Sequence, residues 1–425
     1  MDIFEELESE VRSYCRSWPT VFDRARGARL SDVGGREYLD FFSGAGALNY
    51  GHNHPTIKRA LLDYLSEDRV IHSLDMCTAA KAQFLEALRD TILGPRKLDY
   101  KVQFPGPTGT NAVEAALKLA RKVTGREEVV SFTNAFHGMT LGSLSVTGNS
   151  MKRSGAGVPL AHGTALPYCG FLSDDADSIS LLEALLEDSG SGLDQPAAVI
   201  VETVQGEGGI NVASVKWLRR LAELCARQEM LLIVDDIQMG CGRTGPFFSF
   251  EEAGIVPDIV TLSKSLSGSG LPLAVTLFRS ELDQWEPGEH NGTFRGNNPA
   301  FVTATAALSF WKDDSLPAAT AAKGEVVGQV LEGIAARHGE AKVEVRGRGL
   351  IWGMAFDDPA VASRVCRHAF DAGLLVETSG PESEVVKLMP PLTVSVDDEL
   401  APGLAILAEA VDRAVDEGSD RLALR

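Results

Sequence analysis

The run Leu231-Leu232-Ile233-Val234-Asp235-Asp236 limits more than any other feature how this chain can fold. Four aliphatic side chains in succession suit a strand buried on both faces, and such strands belong to parallel sheets covered by helices. The run ends in two carboxylates. A second run, Asp258-Ile259-Val260-Thr261-Leu262, leads straight into Ser263-Lys264. Ligands of open parallel sheets sit in the crevice beyond the carboxyl ends of the strands. An acid and an amine are therefore expected to meet at one crevice.

The rest of the chain supports such a sheet. Residues 129–132 and 197–201 read as further buried strands, and residues 111–121 and 214–229 as helices. This alternation predicts an α/β fold with a mostly parallel sheet between layers of helices. Near residue 310 the rhythm changes. A long helix over about 316–337 is followed by short strands at 343–345, 351–355 and 374–377, with helices over about 359–372 and 397–415. The expected organisation is a large domain over 49–312 and a smaller α+β domain over 313–425. The segment 1–48 is expected to join the smaller domain. It opens with an amphipathic helix pattern around Phe4, Leu7 and Val11, then a strand pair that turns at Gly34-Gly35.

Charge and composition exclude several classes of function. Among 425 residues, 40 are basic and 59 acidic, a net charge of −19. That balance argues against a nucleic-acid partner and against an anionic membrane surface. No apolar run approaches the length of a membrane span, and the first residues carry no leader pattern. None of the six cysteines is in a CxxC spacing, so reduced thiols and a cytoplasmic location are expected. His52 and His54 are the one close histidine pair and lack a third ligand type, so no metal site is expected. No strand is followed by GxGxxG, which leaves a nicotinamide enzyme without support.

The acid and the amine together have a specific chemical use. Pyridoxal 5'-phosphate (PLP) needs an amine to condense with its aldehyde, and an acid to keep its pyridine nitrogen protonated. Lys264 and Asp235 fit those roles. Gly106-Pro107-Thr108-Gly109-Thr110 opens into the helix at residue 111, which makes either a phosphate site or a plain N-cap. Phe136, after the 129–132 strand, suits either a cofactor ring or the core. Glu202 and Glu207 flank a turn after the 197–201 strand.

As a set, these motifs resemble those of the class III, fold type I, PLP-dependent aminotransferases, from about residue 20 to 415. Val234-Asp235-Asp236-Ile237-Gln238 with Gly242-Arg243-Thr244-Gly245 is similar to the family's D-E-V-Q-x-G-x-x-R-T-G block, with Asp236 for the usual Glu. Pro257-Asp258-Ile259-Val260 and Ser263-Lys264 resemble its P-D-I-x-x-x-x-K block. Thr108-Gly109-Thr110-Asn111-Ala112 is similar to S-G-T-E-A, Phe136-His137-Gly138 to the aromatic-His-Gly motif, and Gly292-Thr293-Phe294-Arg295-Gly296-Asn297 to G-T-F-x-G-N.

The resemblance implies a fold type I architecture and amino-group transfer in two half-reactions. Gly109 and Thr110 should hold the PLP phosphate, Phe136 stack on the ring, Asp235 pair with the ring nitrogen and Gln238 hydrogen-bond the ring hydroxyl. Glu202 and Glu207 resemble the two glutamates of E-P-x-x-G-E, with Thr203 replacing Pro. Thr293 should reach the phosphate of a neighbouring subunit, which implies a homodimer with its active site at the interface. In the family an arginine before Pro-Pro binds the substrate carboxylate near the reacting carbon, and the second glutamate neutralises it otherwise. Here that arginine is Lys387, before Leu388-Met389-Pro390-Pro391. Two readings stand open: Lys387 and Glu207 form the switch, or Lys387 is a solvated surface charge and Arg295 or another cation binds the carboxylate. Met139 stands where ornithine-specific members carry an arginine for the distal carboxylate. A PLP-binding protein without turnover is disfavoured by the complete Lys/Asp/Glu set.

Overall fold

The computed structural model describes residues 2–172 and 177–423. At its centre is a sheet of seven strands: β1 (Tyr100–Gln103), β2 (Val129–Phe132), β3 (Gly163–Leu166), β4 (Ala198–Val201), β5 (Leu231–Asp235), β6 (Ile259–Leu262) and β7 (Val275–Arg279). Their spatial order is β1-β7-β6-β5-β4-β2-β3. β3, β2, β4, β5 and β6 run parallel, and β7 runs antiparallel between β6 and β1. Every residue of β2, β4 and β6 is buried. These strands are mostly apolar, with Ser131 and Thr261 the buried hydroxyl residues among them, because helices cover both of their faces. The Gly109–Thr124 helix buries an Ala/Val/Leu stripe on one side, and Val215–Arg227 buries Trp217, Leu218, Leu221 and Leu224.

Two smaller sheets lie outside this core. Phe22–Arg26, Arg29–Asp32 and Glu37–Asp40 form an antiparallel meander, and Leu374–Leu375 adds parallel to its last strand. Glu344–Arg348, Ile351–Ala355, Val385–Leu388 and Glu377–Ser379 form the other, wholly antiparallel, in that order. The Ser315–Arg337, Pro359–Asp371 and Ala401–Ala423 helices accompany them. N-terminal and C-terminal chain are thus joined by hydrogen bonds from Leu39 N to Gly373 O at 2.8 Å and from Phe41 N to Leu375 O at 3.0 Å.

Three local expectations change. The run 374–377 is two strands rather than one, because the chain passes from one small sheet to the other at the buried Val376. The final helix begins at Ala401 after a wide turn over Val396–Leu400, and runs to Ala423. The first helix covers only Asp2–Leu7, and Phe4, Leu7 and Val11 all face away from the core of this chain. An apolar stripe needs a facing surface to hold a helix, and no element of this chain supplies one there among the described residues.

Candidate active site

β5 and β6 deliver the acid and the amine to the same edge of the sheet. Asp235 is level with Thr261 across the strand pair. Thr261 Oγ1 donates to Asp235 Oδ1 at 3.0 Å, and Ile237 N donates to the same oxygen at 3.2 Å. The other oxygen, Oδ2, is 2.7 Å from His137 Nδ1. The buried carboxylate is thus fixed in position before any ligand arrives. Burial is the largest single influence on His137 and opposes its charge, but the hydrogen bond to Asp235 and the charges of Asp235 and Glu202 together raise the imidazole above its ordinary pKa. His137 Nε2 is buried without a hydrogen-bond partner.

Lys264 opens a short turn, Lys264–Ser267, at φ +47°, a left-handed conformation that non-glycine residues seldom adopt. The turn aims its amine into the pocket instead of along the strand. Burial pushes the amine's pKa down; the nearby Lys387 adds to this and Glu207 opposes it. A lowered pKa leaves more of the lysine in its neutral, nucleophilic form.

The far end of the pocket is a helix N-terminus. Thr108, Gly109 and Thr110 line it, and Asn111 Oδ1 ties the loop by accepting from Thr108 N at 3.2 Å. Thr110 Oγ1 lies 2.6 Å from Thr140 Oγ1 and 2.9 Å from Ser143 Oγ. Gly138 packs against it at φ +130°, where an added Cβ would come 2.4 Å from Thr110 Oγ1. Helix dipole and backbone N–H groups make such an end an anion site.

The cavity between these parts measures about 340 Å³. One end suits a phosphate, Phe136 lines a side, and Asp235 and Lys264 also face in. This donor set fits PLP: an anion cradle, a carboxylate for a ring nitrogen, an amine for an aldehyde. Glu202 also lines the cavity and accepts from Phe136 N at 3.0 Å. Burial, helped by the charge of Asp235, pushes its carboxyl up to about 7. Gln238 donates through Nε2 to Ala45 O at 2.9 Å and to Glu207 Oε1 at 3.1 Å.

Behind Glu207 lies a buried charge cluster. Lys387 is fully buried, which removes the solvated-surface reading of that residue. Its ammonium donates to Glu207 Oε1 at 2.7 Å and stands 2.9 Å from Glu377 Oε1, the latter an ion pair without good hydrogen-bond angles. Burial works against every charge here, yet Lys387 and Lys264 hold Glu207 far below the ordinary carboxylate range. Lys387 is held above the ordinary lysine range by Glu207 and Glu377. Glu377 is raised, burial outweighing Lys387. The phenol of Tyr14 is raised first by burial, then by Glu377 and Glu207.

Of the residues singled out in the sequence, Gly109, Thr110, Phe136, Glu202, Glu207, Asp235, Gln238 and Lys264 line one cavity, and Lys387 joins through Glu207. Thr293 and Arg295 do not line it. Thr293 O faces His72 Nε2 at 2.7 Å, and Arg295 donates to Asn291 Oδ1 at 3.0 Å. The His137–Asp235 pair and Glu377 were not legible as functional groups. The first needs β2 and β5 to end on the same side of the sheet. The second needs the strand register that sets Glu377 opposite Lys387.

The profile of the aminotransferase class-III family matches residues 13–411, and the chain belongs to that family. It is a PLP-dependent aminotransferase of fold type I. Over 99% of its length it is 64% identical to a diaminobutyrate–2-oxoglutarate transaminase of Nocardia farcinica, of which it covers 98%. It is 66% identical to a transaminase of the same name from Streptomyces anulatus, with 97% of each chain aligned. Among solved structures, an ornithine aminotransferase of Toxoplasma gondii superposes with a TM-score of 0.85 at 27% identity, covering 98% of this chain and 95% of that one. A transaminase from the marine bacterium Virgibacillus superposes at 0.86 with 20% identity over 98% and 99%, a likeness of fold. No helix among the described residues is long and apolar enough to cross a membrane.

Proposed function

We propose that the chain moves the amino group of L-glutamate to the terminal carbon of L-aspartate 4-semialdehyde, giving 2-oxoglutarate and L-2,4-diaminobutyrate. The Lys387–Glu207 ion pair at the inner wall of the pocket carries this reading, and the relatives named for that reaction support it. Glutamate presents a carboxylate beside its reacting carbon; the semialdehyde presents only hydrogen. A pocket serving both needs a cation there whose charge can be cancelled. Glu207 on Lys387 supplies the cancelled state, and movement of Glu207 would supply the open one.

When bound, PLP supplies the aldehyde that takes up the amino group and a ring that withdraws electrons. Asp235, anchored by Thr261 and His137, keeps a proton on the ring nitrogen. Lys264, lowered in pKa, accepts and returns the proton at the substrate's reacting carbon. Gly109 and Thr110 hold the phosphate, Phe136 and Gln238 hold the ring, and Glu202 fixes Phe136. Thr293 completes the phosphate site of a second subunit, so the working unit is a homodimer. Arg295, outside the cavity of its own subunit, is left to the interface. The reaction fits the first committed step of ectoine synthesis; a siderophore or antibiotic route would use the same chemistry.

The test is a visible-absorbance titration of the purified holoenzyme with diaminobutyrate, ornithine and 4-aminobutyrate. Rapid loss of the bound-cofactor band with diaminobutyrate alone is expected. Conversion by ornithine or 4-aminobutyrate instead would replace the substrate assignment with an ornithine-, acetylornithine- or GABA-type one. Lys387→Ala should slow the glutamate half-reaction about 30-fold or more, the worth of one charge-assisted hydrogen bond, and change the diaminobutyrate half-reaction about threefold at most. Equal losses would remove Lys387 from the switch.

A further inference from the structure

A second cavity, of about 150 Å³, opens beside the first and shares Phe136 and Glu207 with it. Lys152 and Glu382 also line it. Lys152 sits in the short Ser150–Ser154 helix, and its ammonium lies 4.2 Å from the centroid of the Phe136 ring. It is half-buried and enters no ion pair among the described residues. Glu382 lies in the turn between the Glu377–Ser379 and Val385–Leu388 strands, and its carboxylate likewise enters no ion pair among the described residues. The mechanism above uses neither residue.

The two substrates of the proposed reaction share one feature that this cavity matches. In glutamate, the side-chain carboxylate carbon is three bonds from the reacting carbon. In diaminobutyrate, the carboxylate carbon is also three bonds from the reacting carbon at the opposite end. A single cation can therefore hold the remote carboxylate in both half-reactions. The substrates differ one atom earlier, where diaminobutyrate carries an ammonium and glutamate a methylene. An anion beside the cation would be felt by diaminobutyrate alone.

Other cations are poorly placed for this work. Lys264 serves the reacting carbon, Lys387 is buried behind Glu207, and Arg295 lies outside the cavity. Met139, in the wall of the first cavity, offers no charge. Resting on the substrate pair proposed above, we infer that Lys152 and Glu382 form the outer subsite. Lys152 binds the remote carboxylate of both substrates, and Glu382 binds the α-ammonium of diaminobutyrate and of aspartate semialdehyde. This subsite selects an amino-acid end over a plain amine or a plain acid, a discrimination that the Lys387–Glu207 pair cannot make.

The experiment compares holoenzymes carrying Lys152→Met, Lys152→Arg and Glu382→Gln with the unaltered one. Half-reaction rates are measured with diaminobutyrate, with 1,3-diaminopropane (the same donor without its carboxylate), with 4-aminobutyrate (without its α-ammonium) and with glutamate. The dissociation constant of glutarate, which is glutamate without its amine, is read from the perturbed cofactor spectrum. Lys152→Met should lose about 30-fold or more on diaminobutyrate and glutamate, and weaken glutarate similarly, the range for a charge-assisted contact. It should leave diaminopropane within about threefold, and Lys152→Arg should restore most of the loss. Glu382→Gln should narrow the preference for diaminobutyrate over 4-aminobutyrate about tenfold and leave glutamate and glutarate unchanged.

Equal loss on every donor in Lys152→Met would overturn the inference, since Lys152 would then act through Phe136 and the cofactor. Unchanged glutarate binding would overturn it as well. If the unaltered enzyme fails to convert diaminobutyrate, the proposed reaction falls, and glutarate binding in Lys152→Met still decides for or against Lys152.

Discussion

Asp236 shows what a single buried carboxyl does in this fold. It follows Asp235 yet points the opposite way, as strand residues alternate, and it is completely buried. Its Oδ2 accepts from Ser249 N at 3.0 Å, while Oδ1 has no partner. Burial pushes its carboxyl up to about 7, with Asp235 adding to the effect. A folded-state pKa above the unfolded value of 3.8 means that the native state resists ionisation. Its contribution to stability is complete at pH below about 4 and is lost as pH rises towards about 7. Asp236→Asn keeps the acceptor for Ser249 N and cannot ionise. The variant should therefore match the parent apoprotein near pH 4 and exceed it by about 4 kcal/mol above pH 7, at about 1.4 kcal/mol per pKa unit. Urea midpoints across that range check it, and a pH-independent difference would refute it. At this scale the sequence was clearest where chemistry sits at strand ends, as with Asp235 and Lys264. It was silent on Lys152 and Glu382, whose relation depends on two loops meeting in space.

At the scale of elements, the end of the pocket proposed for the phosphate is a helix and a loop fitted to each other. The Gly109–Thr124 helix presents its first turn to the pocket, and the loop after β2 crosses that turn at Gly138. Gly138 meets two constraints there: a positive φ of +130° and contact with Thr110 Oγ1. Gly138→Ala should push Thr110 away from the position that receives the phosphate. The expected result is PLP binding weakened at least tenfold, by absorbance titration of apoprotein. The thermal midpoint of the apoprotein should fall by only a few degrees, because the loop is at the edge of the core. Unchanged PLP affinity would show that the close approach carries no weight. The helix and its small-residue loop were legible because helix formers and caps act locally. The 374–379 segment was not, because Leu374–Leu375 and Glu377–Ser379 are very short, stand one residue apart and pair with different sheets. Strand length and period alone do not say which sheet claims a strand. The exposed Phe4, Leu7 and Val11 make the same point: periodicity reports a face, and the surface that covers it must come from elsewhere.

At the scale of the whole molecule, Arg243 joins stretches far apart in the chain. Its guanidinium is completely buried and donates to Leu350 O at 2.8 Å, to Pro390 O at 2.6 Å and to Asn49 Oδ1 at 2.6 Å. Asn49 also donates to Cys241 O at 2.9 Å, closing the link back to the segment before Arg243. No carboxylate forms an ion pair with Arg243 among the described residues, and burial, against the more distant charge of Asp40, pushes its pKa down to about 9. A charge in such a place persists because rigid, planar donors match fixed carbonyls. The sequence showed an R-T-G motif without this role, since the three acceptors come from residues 49, 350 and 390. Pro390 follows Met389, whose N–H donates to Phe41 O at 2.7 Å, so Arg243 also steadies the strand that carries Lys387. Arg243→Leu should remove the charge but strand several buried carbonyls, each costing about 1–3 kcal/mol. Arg243→Lys should keep the charge and reach fewer acceptors. Both should lower the unfolding free energy of the apoprotein measured in urea, by about 3 kcal/mol or more for leucine, and both should slow the glutamate half-reaction through the displaced Lys387. A fall in stability with an unaltered glutamate rate would confine Arg243 to holding the fold. Loss of both would show that the joint between distant stretches of chain also sets the position of Lys387.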